Sequence, residues 1–236
     1  MRLNKFLARA GIGSRRKCDI FISEGLIKIN GKIIKDFSYQ VSDNDYIQFE
    51  NKYIEVEPYS YFILNKPKGY VCSNNDDLSR KIIFDLIPFK NKLFSIGRLD
   101  YDTTGIILIT NNGDFCNSLA HPKFNIVKKY YVLTNQKLSS LEIKEIKKGI
   151  KVDNTIMRGD FKVIDKNKSH FLWEVILTEG KNKEIKRIFK NYDINVLKLH
   201  RYEFAGIQLG NLKEGKTRKL KKREISSLIT LINEKK

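Results

Sequence analysis

The 236-residue sequence predicts an α+β protein of two domains, a small unit over residues 1–58 and a larger one over residues 59–236. Three observations carry this. Two helix-period segments and an Asn-Gly hairpin signal crowd into the first 58 residues. Pro58-Tyr59-Ser60 then interrupts the pattern as a linker. Beyond it, short strand-like runs alternate with helical segments, and the most apolar run is Ile106-Ile107-Leu108-Ile109. A chain of this length can bury a core in each unit.

Leu3, Phe6, Leu7 and Ala10 recur at i, i+3, i+4 and i+7, the face of a helix that Gly11 and Gly13 break. Ser14 is placed to cap a second helix whose apolar side includes Ile20 and Phe21, and Gly25 ends it. Residues 26–34 form two short strands around Asn30-Gly31. Residues 45–57 continue the strand-like alternation. Arg15, Arg16 and Lys17 fall in the first turn of the second helix, where the macrodipole disfavours cations. A bound anion would offset that cost; a solvated basic helix end is the other reading.

In the larger unit, Tyr61-Phe62-Ile63-Leu64 is a short strand and residues 65–70 a basic turn. Residues 74–81 make a polar and then basic loop, and residues 82–87 suit helix or strand. From Ile96 to Asp114 a polar loop feeds the buried strand 106–109, with Asn112-Gly113 closing it as a turn. That loop places Asp100 and Asp102 beside Arg98 and the hydroxyls of Thr103 and Thr104. Such a loop suits a catalytic carboxylate, and equally an Asx-type turn in which Asp100 and Thr103 bond local backbone.

Residues 114–120 read as a helix stopped before Pro122. Residues 128–133 are a strand that puts Tyr130 and Tyr131 on opposite faces, one for the core and one for the surface. Residues 139–150 form an amphipathic helix. Residues 157–163 and 171–177 alternate as strands, with Trp173 in the core. After a turn at Gly180, Ile185, Ile188 and Phe189 share one helical face while Lys183, Lys186 and Arg187 point elsewhere, a pattern that also fits a plain basic surface helix. A strand over 196–204, a basic segment over 213–223 and a helix over 224–231 complete the chain.

The chain carries 45 Lys plus Arg against 27 Asp plus Glu, a net charge of +18 and a pI near 9.7. That excess favours a polyanionic partner, although a composition rich in Lys, Asn and Ile also follows from an AT-rich genome. No apolar run approaches the roughly 20 residues that span a bilayer. The N-terminus lacks the apolar core of a signal peptide. Cys18, Cys72 and Cys116 are odd in number and far apart, and His121, His170 and His200 are scattered. These features predict a cytoplasmic protein with neither a structural metal nor a membrane partner.

Gly97-Arg98-Leu99-Asp100, followed by Asp102-Thr103-Thr104-Gly105 and an aliphatic strand, resembles the signature of the pseudouridine synthases, and within them the RsuA/RluB branch that modifies uridines in ribosomal RNA. Asn65-Lys66-Pro67-x-Gly69 and Leu199-His200-Arg201 are similar to further stretches of that family. So is Glu179-Gly180-Lys181-Asn182-Lys183-Glu184-Ile185-Lys186-Arg187. The N-terminal pattern Arg2-Leu3, Phe6-Leu7, Gly11, Ser14-Arg15-Arg16, Gly25, Asn30-Gly31 resembles an S4 RNA-binding domain.

These resemblances imply an S4-like α/β module followed by a mixed, mainly antiparallel synthase sheet. They assign catalysis to Asp100. They place Lys186 as its basic partner, or Arg187 if the register shifts by one, and set Tyr130 and Ile185 against the target uracil. Arg98 is assigned to supporting the flipped nucleotide. Arg2, Lys5, Arg9, Arg15, Arg16 and Lys17 are implied to face RNA phosphates.

The reaction implied is an isomerisation that gains and loses no atoms, so no cofactor or metal is expected. The expected partner is ribosomal RNA or an assembly intermediate, bound by a monomer. The large-subunit (23S) RNA is favoured over the small-subunit (16S) RNA. Residues 97–104 and 117–122 resemble the large-subunit type, while residues 65–73 and 199–201 resemble the other. A non-catalytic RNA-binding or ribosome-assembly factor is the rival reading.

Overall fold

The computed structural model describes residues 1–74, 76–89, 92–167 and 169–235. Asn75, inside the polar loop expected over 74–81, lies outside the described residues. The chain divides into two compact units, the first spanning residues 1–60 together with Phe89 and Lys92, the second holding the remainder.

In the first unit, α1 (Leu3–Arg9) and α2 (Arg15–Ser23) pack over a sheet of β1 (Ile27–Ile29), β2 (Lys32–Ile33), β3 (Ile47–Phe49) and β4 (Lys52–Tyr53), ordered β2-β1-β3-β4. Leu3 and Leu7 of α1 meet Cys18 and Ile22 of α2 in the core. The Ser14 hydroxyl accepts the Lys17 amide hydrogen and caps α2. One expectation is corrected here: Ile20 is 54% exposed. Cys18 and Ile22, four residues apart, own the buried stripe, and Ile20 lies some 200° around the helix from each. Asn30 and Gly31 both adopt positive φ (52° and 80°), the hairpin geometry that joins β1 to β2 with the right twist.

The second unit is built on one mixed sheet. Its elements are β5 (Tyr61–Lys66), β6 (Phe94–Ile96), β7 (Thr104–Thr110), α3 (Gly113–Ala120), β8 (Lys128–Thr134), α4 (Ser140–Lys148), β9 (Ile150–Val152) and β10 (Thr155–Met157). They continue with β11 (Asp160–Lys166), β12 (Phe171–Leu177), α5 (Glu184–Lys190), β13 (Val196–Phe204), β14 (Ile207–Gln208), β15 (Thr217–Lys219) and α6 (Lys222–Glu234). The main path runs β11-β12-β8-β13-β7-β5-β15, with β14 beside β13 and β6 beside β7, while β9 and β10 pair separately. Among the described residues the contact of β13 with β7 is the parallel one on this path, and its other neighbours are antiparallel. That junction matters most, because the site forms over it.

The core on one side joins Ile63, Ile106 and Leu108 to Phe115, Leu119, Leu228 and Ile232, so α3 and α6 brace β5 and β7. Three further expectations are corrected. Asn65 and Lys66 belong to β5 and are buried, not part of a basic turn. Asn112-Gly113 opens a helix instead of closing a turn, since the Asn112 side chain accepts the Phe115 amide hydrogen and caps α3. The strand expected over 157–163 is two strands, β10 and β11, separated at Arg158 and Gly159. No helix among the described residues is long and apolar enough to cross a membrane.

Candidate active site

The loop from Gly97 to Thr103 leads into β7 and is fastened at several points. The Thr103 amide donates to the Asp100 carbonyl at 3.1 Å, so backbone closes the turn. Leu99 is buried, and its amide and carbonyl both lie 3.4 Å from Cys72 Sγ. Beneath the loop sits Lys66, fully buried, whose Nζ donates to the carbonyls of Pro67 (3.0 Å), Asp100 (3.1 Å) and Thr103 (2.9 Å). Burial pulls the Lys66 pKa down, and the nearby Asp102 and Asp100 carboxylates oppose that pull. Carbonyl dipoles converging on one ammonium are what makes an otherwise costly buried charge tolerable.

Gly105 sets how closely β7 and β13 approach. Its φ is +113°, and a Cβ there would stand 2.2 Å from the Arg201 carbonyl oxygen. Only glycine fits.

On the facing side, α5 is held by its apolar stripe. Ile185, Ile188 and Phe189 are buried, and Phe189 meets the rings of Trp173 and Phe161 at 5.6 and 5.5 Å. The Glu184 carboxylate accepts the Lys181 amide hydrogen at 2.9 Å and closes the helix start. With that face fixed, Lys186 turns outward to the loop. Its Nζ contacts the Asp102 carboxylate and lies 3.6 Å from Asp100 Oδ2. Burial pushes the Asp102 pKa up, but the hydrogen bond and charge of Lys186 outweigh it and leave the carboxyl below its ordinary range. Arg187 is engaged elsewhere, on the Asp153 carboxylate and the Val152 carbonyl, both at 3.0 Å.

Between loop and helix lies a cavity of about 140 Å³, lined by residues that include Arg98, Asp100, Tyr130, Ile185 and Arg201. Tyr130 is 8% exposed, whereas Tyr131, on the opposite face of β8, is 38% exposed and stacks on Tyr202 at 4.2 Å. The cavity therefore joins a carboxylate, an aromatic ring and an aliphatic side chain, and the Lys186 ammonium lies beside that carboxylate.

The RNA pseudouridylate synthase family profile matches residues 60–191, and an S4 domain profile matches residues 1–47. The chain belongs to the pseudouridine synthase family. Ribosomal large subunit pseudouridine synthase B of Bacillus subtilis (strain 168) is 35% identical, covering 98% of this chain and 96% of that relative. Ribosomal small subunit pseudouridine synthase A of Haemophilus influenzae (strain ATCC 51907 / DSM 11121 / KW20 / Rd) is also 35% identical, covering 97% of this chain and the whole of that relative. The crystal structure of a pseudouridylate synthase superposes with a TM-score of 0.69 at 31% identity, covering 97% of this chain and 99% of that one.

Three groups at or beneath this synthase's cavity lie in family-like stretches but are given no role by the sequence: Lys66, Glu184 and Arg201. Lys66 is indistinguishable from a surface lysine until the strand is seen to be central. Glu184 and Arg201 are 4% and 2% exposed. Lys128 also lines the cavity; burial and the Arg201 charge lower its pKa to about 8. Among the described residues no cluster of His, Cys, Asp and Glu is arranged to hold a metal ion.

In the S4 unit Arg2, Arg15, Arg16 and Lys17 are exposed and Lys5 is half-buried. Arg9 is turned back on its own unit, its guanidinium 4.1 Å from the Tyr59 ring centre and donating to the Glu57 carbonyl.

Proposed function

We propose that this synthase converts a specific uridine of ribosomal RNA to pseudouridine, with Asp100 as the catalytic residue and the large-subunit RNA as substrate. The observation that carries the reading is the placement of the Asp100 carboxylate, with Lys186 Nζ 3.6 Å away, beside a cavity lined by Tyr130 and Ile185.

The reaction breaks the N1–C1′ bond, turns the uracil and joins its C5 to C1′; C5 gives up a proton and N1 gains one. The ionised Asp100 starts it, by attack at C1′ or by removal of a sugar proton. Lys186, 3.6 Å away, fixes the direction of the carboxylate. Tyr130 and Ile185 hold the uracil between them, and base–aromatic stacking is worth roughly 1–3 kcal/mol. A nucleotide in folded RNA must first leave its stack, at a cost of a few kcal/mol; exposed Arg98, two residues before Asp100, supports the flipped state. Arg2, Lys5, Arg9, Arg15, Arg16 and Lys17 supply phosphate contacts that give register and affinity. The synthase works as a monomer in the cytoplasm.

The similarity of residues 97–104 and 117–122 to the large-subunit type supports the choice of RNA. The small-subunit relative is as similar in overall identity, so the RNA itself must be asked. The test is pseudouridine mapping of total ribosomal RNA from cells lacking the protein, complemented with wild type or Asp100→Ala. One large-subunit site lost on deletion and restored by wild type alone is the expected result. A lost small-subunit site would reassign the substrate. Survival of every site, with no redundant enzyme, would favour the RNA-binding factor.

A further inference from the structure

Three residues that line the cavity each carry a buried polar side-chain atom with no hydrogen-bond partner among the described residues: Arg201 Nη2, Glu184 Oε1 and Thr103 Oγ1. The residues are 2%, 4% and 2% exposed. Two of the three side chains are anchored through another atom. Arg201 Nε donates to the Ile106 carbonyl at 2.9 Å, and its guanidinium packs 5.0 Å from the centre of the Phe204 ring. Glu184 has one oxygen fixed by the Lys181 amide. Buried polar atoms without partners are rare in native proteins and cost about 1–3 kcal/mol apiece. Three around one cavity, two of them on anchored side chains, mark polar groups prepared for a ligand.

Resting on the reading of this cavity as the uracil site, we propose that Arg201 and Glu184 read the polar edge of the flipped base. The free Nη2 of Arg201 donates to a ring carbonyl, and the free Oε1 of Glu184 accepts the imide N3–H. Uracil presents a carbonyl acceptor and an N3–H donor on one edge, which call for one protein donor and one protein acceptor, the kinds of group that Arg201 and Glu184 leave unpartnered on this cavity. Cytosine turns a lone pair at N3 toward the Glu184 oxygen and is rejected. Thr103 Oγ1, able both to donate and to accept, takes the remaining carbonyl. A site built to hydrogen-bond its substrate discriminates more steeply than an apolar slot, because the wrong base leaves its buried groups unpaired.

The experiment uses the full-length protein and in vitro transcribed ribosomal RNAs carrying tritium at C5 of uridine, since pseudouridine formation releases that tritium. Wild type is compared with Glu184→Gln, which is isosteric and keeps an oxygen for the Lys181 amide, and with Arg201→Lys. RNA affinity is measured by filter binding and folding by thermal melts. The expected result is a single-turnover rate about 10–100-fold lower for each variant, with RNA affinity within twofold of wild type and, for Glu184→Gln, an unchanged melt. Should Arg201→Lys fail to fold, Glu184→Gln decides alone. Folded Glu184→Gln releasing tritium at the wild-type rate would overturn the proposal. A wild-type protein that releases none would instead overturn the synthase reading on which it rests.

Discussion

The Lys66 ammonium donates to the Asp100 main-chain carbonyl at 3.1 Å, so a fully buried cation on β5 fastens the loop that carries the proposed catalytic carboxylate. Replacing it by Met keeps the apolar stem but strands the carbonyls of Pro67, Asp100 and Thr103. We expect Lys66→Met to lose about 2–3 kcal/mol of stability in urea titrations. The turnover of whatever remains folded should fall as well, because Asp100 is no longer held in register with Lys186.

Gly105 and Arg201 make a second contact of this kind. Gly105→Ala adds a methyl at 2.2 Å from the Arg201 carbonyl oxygen and places a side chain at φ +113°. Strain and overpacking together should cost about 3 kcal/mol or more. Urea unfolding measures it, and a loss under 1 kcal/mol would mean that β7 and β13 separate more easily than their pairing suggests.

Lys186 and Arg187 are adjacent but make different contacts, the first with Asp100 and Asp102, the second with Asp153 and Val152. Lys186→Met should lower the single-turnover rate by about 10²–10³, the scale of losing one oriented electrostatic group at a reacting centre. Arg187→Met loses the contacts to Asp153 and Val152 and should reduce stability while leaving the rate within a few-fold. The reverse pattern would move the pairing role to Arg187.

Asp102 competes with Asp100 for the same ammonium. Its carboxyl titrates below the ordinary 3.8 in the folded protein, so its contribution to stability is present above pH 3.8 and is lost as the pH falls through the lower folded value. Its side chain is 53% exposed, so solvent screens the pair and the contribution is under about 1 kcal/mol. Asp102→Asn should therefore destabilise slightly at pH 7 and by less at pH 2.5, as urea titrations at the two pH values would read.

For the S4 unit, replacing Arg15, Arg16 and Lys17 together by Ala should weaken RNA binding without changing its sequence preference. It should also flatten the plot of log affinity against log salt by about 2–3 units. An unchanged slope in filter binding across salt concentrations would remove these three residues from the phosphate contacts.

Much of this was legible in the sequence wherever the physics is local. The hairpin at Asn30-Gly31, the Ser14 cap, the strand run 106–109 and the buried stripe of Ile185, Ile188 and Phe189 follow from turn chemistry and periodicity, which act over a few residues. The loop of Asp100 was visible too, because its residue types and their order are distinctive. Periodicity failed where two elements share a face. Ile20 is apolar but points away from the partner helix, and only the position of α1 decides that.

What only the tertiary structure decided is the company each charge keeps. The sequence puts Lys66 in a basic turn and gives Glu184 and Arg201 no particular surroundings, yet all three are buried around one loop and one cavity. It prefers Lys186 and keeps Arg187 for a shifted register, and α5 turns the first toward Asp100 and the second toward Asp153. A residue's chemistry is set by its own atoms and near neighbours along the chain, so sequence names the candidate groups. Whether a charge meets water, a carbonyl or another charge depends on strands more than 30 residues away, and folding alone brings those together.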